Sequence, residues 1–452
     1  MIVPSSKLLF WVAAIILPFA LLGAVVPAAM PVALACIGGL FLFALADAIA
    51  ARNCLAEIGV ELSAVTRMSK DRAAKLEMRI RNGRQLQKNL RVALAWPREI
   101  ETSVEEMDTI LPAQTEWSRL VWDCTPRRRG NYKITSAFVE GASPLGFWAV
   151  RKALPALAEI RVYPNLLDER KNLAALFLNR GGLGLHAQRQ VGKGREFEKL
   201  REYVPGDGYD EIHWKATARR GKPVTKVFQI ERTQEIYVIV DASRLSARQP
   251  QVEGNSEPAT FNQQPATTLE RFVTAALVLG LAAEKQGDLF GLITFTDKVE
   301  KFVRAKNGTA HYHACRDALY TLQPKIVTPD FDELCTFIRL RLRRRALLVF
   351  LTALDDPTVA ENFVRNIELI RRQHLVIVNM IQPPGVLPLF TNPAADVDDL
   401  YQHLGGHLRW QNLRTLQKNL QRRGVQFSLN DNEKLSAEIV SQYLAVKQRQ
   451  LL

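Results

Sequence analysis

Charge is missing from the start of this chain. Between Lys7 and Asp47 lie 39 residues without one Asp, Glu, Lys or Arg. So long an uncharged apolar run leaves no face for water, and it excludes a simple soluble enzyme. Cysteine is scarce as well. The 452 residues hold five, Cys36, Cys54, Cys124, Cys315 and Cys335, with no C-x-x-C among them. An odd, scattered set argues against a disulfide framework or a structural zinc site and suits a reducing compartment. Familiar catalytic signatures are absent too: there is no H-E-x-x-H, no G-x-S-x-G and no complete phosphate loop.

What is present begins with two apolar segments. About 20 residues of helix span a bilayer, and the uncharged run accommodates spans over 8–26 and 32–50. Pro27 and Pro31 bracket a short turn between them, where proline disfavours helix. Lys7 and Arg52 flank the outer ends, which favours a hairpin with both ends in the cytoplasm. A cleaved signal peptide would give way to a polar mature start, but here apolar sequence continues past Ala29. The chain as a whole carries 60 Lys and Arg against 46 Asp and Glu, a net charge of +14. Almost all of that excess follows residue 52. A basic body tethered at an anionic membrane is therefore expected.

Residues 58–165 alternate as strands do, over 75–80, 89–95 and 132–139. Asn82-Gly83 is a turn signal between the first two. Short strands at this spacing imply a β-sandwich-like domain. From residue 234 the pattern changes. Continuous apolar strands are expected over 236–240, 289–295, 346–351, 375–381 and 425–429, with a further strand over 299–303. Helices alternate with them, over 269–286, 310–322 and 330–342, from Pro357, and at the terminus. This pattern implies a doubly wound, mostly parallel sheet covered on both faces. Residues 247–266, rich in Gln, Pro, Asn and Ser, read as a surface insertion. The basic run 339–345 reads as a helix end whose arginines suit the dipole, rather than as a nucleic-acid site.

In such a sheet, ligands gather at the carboxyl edge. Asp241-Ala242-Ser243 ends the first strand, Thr309 opens a later helix, and Asp355 follows the strand over 346–351. This arrangement resembles a von Willebrand factor A domain, whose Asp-x-Ser-x-Ser loop, distant Thr and distant Asp surround a divalent cation, usually Mg²⁺. Hydroxyls with few carboxylates suit such a hard cation. Asp241, Ser243, Thr309 and Asp355 are the candidate ligands of a degenerate site. Leu245 stands in place of the second Ser, and Ala353 in place of the usual Asp. Asp356 before Pro357 reads as a helix cap.

The most specific run is Gly194-Arg195-Glu196-Phe197-Glu198-Lys199-Leu200-Arg201-Glu202-Tyr203-Val204-Pro205-Gly206-Asp207. It continues at Ile212-His213-Trp214-Lys215-Ala216-Thr217-Ala218-Arg219-Arg220-Gly221. It resembles the signature of the bacterial family called domain of unknown function fifty-eight, with Glu211 where that family often has a basic residue. Arg129-Gly130-x-Tyr132 and Pro144-Leu145-Gly146 also look like that family's β region. The resemblance implies a membrane hairpin in 1–52, a β-rich domain in 58–165, a connector in 166–233 with its signature at 194–221, and a von Willebrand A-like domain in 234–452. It also implies a partner, a MoxR-type AAA+ ATPase, and a place in the bacterial inner membrane with the soluble domains in the cytoplasm.

Within the signature, Pro205-Gly206-Asp207 reads as a turn and Trp214 as an apolar anchor. Glu196, Glu202 and Asp207 can pair with Arg201, Lys215 and Arg219. Such a motif serves as a structural clip or, with Tyr203 at its turn, as a docking surface. The expectation is a non-enzymatic membrane-anchored interaction protein. The alternative is a metal-dependent hydrolase using Asp241 and Asp355. It lacks an evident general base beside that loop.

Overall fold

The computed structural model describes residues 1–25, 30–167, 169, 191–205, 208–229, 234–248, 267–389, 391 and 396–449. The chain forms two compact units, Met1–Asn165 and Leu166–Leu452.

The first unit opens with a short strand, β1 (Ile2–Pro4), and two apolar helices, α1 (Ser6–Val25) and α2 (Met30–Ala51). These replace the spans expected at 8–26 and 32–50. Met30–Ala51 is long and apolar enough to cross a membrane, while Ser6–Leu22 counts as a shorter apolar helix. Nine strands follow: β2 (Ile58–Leu62), β3 (Val65–Ser69), β4 (Ala74–Asn82), β5 (Lys88–Leu94), β6 (Ile100–Thr102), β7 (Glu106–Leu111), β8 (Trp117–Pro126), β9 (Gly130–Ala142) and β10 (Trp148–Tyr163). They form a four-stranded sheet, β2-β4-β8-β6, and a six-stranded one, β1-β10-β9-β5-β7 with β3 beside β10. Alternation explains the packing. Leu76, Met78 and Ile80 of β4 share one core with Leu90, Val92 and Leu94 of β5, and with Trp122. Asn82-Gly83 turns the chain, yet β4 and β5 lie in different sheets and do not pair. The turn therefore carries the chain between sheets rather than closing a hairpin.

One loop holds the base of the apolar helices. Asp47, 2% exposed, accepts hydrogen bonds from the Ser143 hydroxyl (2.5 Å) and from the Leu145 and Phe147 amides (3.0 and 3.2 Å). Trp148 Nε1 donates to the Ala44 carbonyl at 2.8 Å. At the start of α1, the Ser5 hydroxyl donates to the Gly146 carbonyl at 2.6 Å. Pro144-Leu145-Gly146 is thus part of a clamp. Arg129-Gly130-x-Tyr132 has a similar local role, because the Tyr132 hydroxyl donates to the Arg128 and Arg129 carbonyls.

The second unit begins with β11 (Val191–Glu202) and β12 (Val224–Gln229), an antiparallel pair, with α3 (Trp214–Arg220) between them. Gly192 and Gly194 lie within β11. The rest comprises β13 (Glu235–Asp241), α4 (Thr268–Lys285), β14 (Leu289–Phe295), β15 (Val299–Lys306), α5 (Thr309–Leu319), α6 (Phe331–Arg341), β16 (Leu347–Leu351), α7 (Pro357–Asn366), α8 (Glu368–Arg371), β17 (Leu375–Ile381), α9 (Val397–Arg422), β18 (Gln426–Asn430) and α10 (Leu435–Gln448). The sheet order is β15-β14-β13-β16-β17-β18. Every neighbouring pair is parallel except β14 and β15. Ile236, Val238 and Val240 pack against α4, α5 and α10, while Tyr237 and Ile239 pack against α6, α7 and α9. Both faces are covered, which accounts for the uninterrupted apolar strands. The helix α9 was not anticipated. Its Gly405-Gly406 pair and its polar content hide it from propensity. From residue 249 onward, the expected insertion lies outside the described residues.

Candidate functional site

The strands β14 and β16 flank β13, so the chain leaves β13 toward one side of the sheet and later enters the other. That is a topological switch point, where a crevice opens beyond the strand ends. A cleft of about 690 Å³ lies there, lined by Leu245 and Arg248 after β13, Asp355 and Asp356 after β16, Gln382 after β17, and Arg409 of α9.

Asp241 ends β13 fully buried. Its Oδ1 accepts the Ser243 amide at 2.8 Å and its Oδ2 accepts the Thr352 hydroxyl at 2.6 Å. Burial without a cationic neighbour pushes this carboxyl up from its ordinary value. Ser243 faces inward as well, with its hydroxyl accepting the Leu245 amide at 3.4 Å. Asp355 pairs with Arg248 through Oδ2. Its Oδ1 is buried and accepts no hydrogen bond among the described residues. Asp356 pairs with Arg244 at 3.5 Å and caps α7 by accepting the Thr358 amide at 3.0 Å.

The four expected metal ligands do not converge. β15 runs antiparallel and places Lys306 opposite Phe290, at the amino edge of the sheet. Thr309, three residues on, therefore opens α5 at the edge opposite Asp241, and the expectation that it joins the site is corrected. Thr352 is the hydroxyl that Asp241 meets instead. It directly follows β16 (Leu347–Leu351), where a hydroxyl rather than a carboxylate meets Asp241. Asp241 takes one neutral donor on each oxygen and Asp355 pairs with Arg248, so the expected four residues are not assembled around one Mg²⁺ position. Among the described residues, no group of three His, Cys, Asp or Glu is placed to hold a metal.

The signature run is a capped helix clipped to a strand. His213 is the N-cap of α3, and its Nδ1 accepts the Ala216 amide at 3.0 Å. The Thr217 hydroxyl accepts the Val224 amide at 3.1 Å, tying α3 to β12. Gly221 ends the helix with φ 65°, a left-handed turn that favours glycine. Tyr203 stacks on Tyr209 at 6.5 Å. Glu196 pairs its backbone with Gln229 in the β11–β12 ladder, as Arg201 does with Thr225. Gly206 and Asp207 lie outside the described residues. Trp214, expected as an anchor, is 68% exposed. The first position of a helix whose far side faces β12 points its side chain outward. Lys215 and Arg219 are exposed and make no ion pair among the described residues.

Residues 199–388 match a family model described as "Protein of unknown function DUF58". That region runs from the end of β11 through the loop after β17, and it takes in most of the signature and the switch-point cleft. Among solved structures, the chain is similar to the conserved hypothetical protein BatB from Bacteroides thetaiotaomicron, at 13% identity. That match covers 48% of this chain and 99% of BatB, with a TM-score of 0.28. It is also similar to an aerotolerance-related membrane protein from Bacteroides fragilis, at 13% identity, covering 46% of this chain and 97% of that one, with a TM-score of 0.25. No curated protein matches the chain.

Proposed function

We propose that this is a non-enzymatic, membrane-anchored interaction protein that docks a protein partner at the carboxyl edge of its mixed sheet. The observation that carries the reading is the switch-point cleft. Its wall holds an Arg248–Asp355 pair whose second carboxylate oxygen still lacks a donor. A buried acceptor of this kind is costly until a donor reaches it. A partner's amide or basic side chain supplies that donor, while a partner's carboxylate finds Arg248. The sheet itself we read as von Willebrand factor A-like, and the two-sheet unit as a sandwich. The apolar helices are then a hairpin in a bacterial inner membrane, with Lys7 and Arg52 keeping the soluble body in the cytoplasm.

The partner is a MoxR-type AAA+ ATPase, for which this chain acts as adaptor or chaperone-like cofactor. This identity rests on the family resemblance of the signature. The test is binding of the full chain, in detergent, to a purified MoxR-type AAA+ ATPase from the same organism, with and without nucleotide. Binding that falls about tenfold or more in Arg248→Glu and in Asp355→Lys is expected, because each reversal leaves a like-charge contact. No binding under either condition sinks the partner. Undiminished binding by both variants sinks the cleft.

A further inference from the structure

One surface of α9 is unusual for a helix packed on a sheet. Gly406, Leu413, Leu416 and Leu420 are buried, and Gly406 is held so close that a Cβ there would lie 2.0 Å from the Gly385 carbonyl oxygen. The opposite face carries Val397, Leu400, Tyr401, Leu404 and Leu408, which are 63%, 48%, 69%, 44% and 54% exposed. Steps of three and four place these five on one stripe. An exposed apolar stripe of this size marks an interaction surface.

The charges beside the stripe say what covers it. Asp396 and Asp398 flank Val397, one on either side. Arg409 lies eleven residues beyond Asp398, and Arg414 eighteen beyond Asp396. At 3.6 residues per turn the separation of eleven is close to three whole turns, so Asp398 shares its flank with Arg409, while Asp396 is the N-cap of α9 and accepts the Val397 amide. Two such helices can be placed antiparallel about a two-fold axis at Leu404. Leu404 then meets its own copy, and Leu400 meets Leu408. On one flank, Asp398 comes within a residue of level with Arg409 of the other copy. In a two-fold antiparallel pair like flanks face each other, so the two-fold repeats this acid-to-arginine approach at both ends of the stripe. Gly405, whose Cβ would meet nothing within 4 Å, lets the helices approach closely beside the axis. Asp398 and Arg409 make no ion pair within the chain among the described residues, so both are available.

We propose that the α9 stripe is an isologous interface and that its occupant is a second copy of this chain. A patch that is apolar at its centre and self-complementary in charge at its rim is what a two-fold interface requires. The apolar stripe is separate from the docking cleft, and the two surfaces share only Arg409, which also lines the cleft; Asp398→Arg is therefore the exchange that leaves the cleft wall intact.

The test uses the full chain in detergent, with Cys36 and Cys54 replaced by alanine to lower the background. Leu404→Cys is expected to form an intermolecular disulfide on mild oxidation, and Gln402→Cys, off the stripe, is not. Light scattering is expected to report a dimer. Its dissociation constant should rise about tenfold or more in Asp398→Arg and in Arg409→Asp, and return toward the parent value in the double exchange. Recovery in the double exchange is a result that a folding defect cannot produce. Arg248→Glu is expected to leave dimerisation unchanged, which separates this interface from the cleft. A monomer at tens of micromolar overturns the proposal, as does a 404 position that does not crosslink. So does a stripe protected only when lipid vesicles or another protein are added.

Discussion

Replacing Asp241 by Asn separates a structural carboxylate from a metal ligand. In the fold described, Asp241 receives two hydrogen bonds from neutral donors and faces no cation. Asn keeps the bond from the Ser243 amide on its oxygen and can donate its amide to the Thr352 hydroxyl. The charge, and the burial penalty that goes with it, are removed. The expected stability change for Asp241→Asn is therefore within about 1 kcal/mol of the parent at neutral pH. Asp241→Ala leaves the Ser243 amide and the Thr352 hydroxyl buried without an acceptor, and should cost about 2–4 kcal/mol.

The pH dependence has a definite sign. Burial holds the folded carboxyl above its ordinary value of 3.8, so the native state keeps this proton to higher pH than the unfolded chain does. The contribution is complete below 3.8 and is lost as pH rises through the folded value. The parent should therefore lose stability relative to Asp241→Asn across that window and run parallel to it above. Denaturant unfolding of the full chain in detergent from pH 4 to 8, with EDTA and with Mg²⁺, measures both terms. A metal at one hundred times its dissociation constant would stabilise the parent by about 2.7 kcal/mol. If Mg²⁺ stabilises the parent by such an amount and leaves Asp241→Asn untouched, the structural account of Asp241 is wrong.

Two further outcomes test the rest of the second unit. Asp288 is 1% exposed and receives Lys447 Nζ at 2.7 Å, the Tyr443 hydroxyl and the Gln234 amide; Asp288→Ala should cost about 3–5 kcal/mol, as broken buried pairs do, and hydrogen exchange across Leu435–Gln448 should rise first, whereas exchange confined to other elements would refute the clasp. His374 is buried with neither ring nitrogen hydrogen-bonded among the described residues, and burial lowers its pKa to about 4. Stability from keeping it neutral is complete above 6.5 and lost as pH falls toward 4, on the order of 3 kcal/mol. His374→Leu should flatten that acid limb, and an unchanged limb in unfolding experiments would show that another group titrates there.

Much of the α/β layer was legible from residue order. The strands Leu289–Phe295 and Leu375–Ile381 stand where the apolar runs put them, and Asp356 with Pro357 opens a helix as expected. These features depend on local chemistry. What failed depends on direction and pairing. Val299 to Val303 reads as a strand in any sheet, but only the antiparallel pairing of β15 with β14 carries Thr309 to the far edge. Asn82-Gly83 turns the chain in either topology, so it could not tell a hairpin from a crossing between sheets. Trp214 looked like an anchor because tryptophan usually is one. Its exposure follows from which side of a seven-residue helix meets β12. The α9 helix escaped notice because its sheet-facing side uses a glycine at the closest approach. Its apolar residues gather on the other face.

Asp47 shows why a charge at the end of an apolar run need not weaken an anchor. A bare carboxylate in α2 would favour leaving an apolar environment. Here Ser143, Leu145 and Phe147 each give it a donor, and the loop that supplies them also receives Ser5 at the start of α1. The carboxylate ends the uncharged stretch and fastens it to the β9–β10 loop. Replacing it by leucine would extend the apolar run and leave three donors without their acceptor. The hydrophobic arithmetic of the first 52 residues therefore describes only half of the anchor. The other half is a set of directional bonds that orient the apolar helices on the sheet they precede.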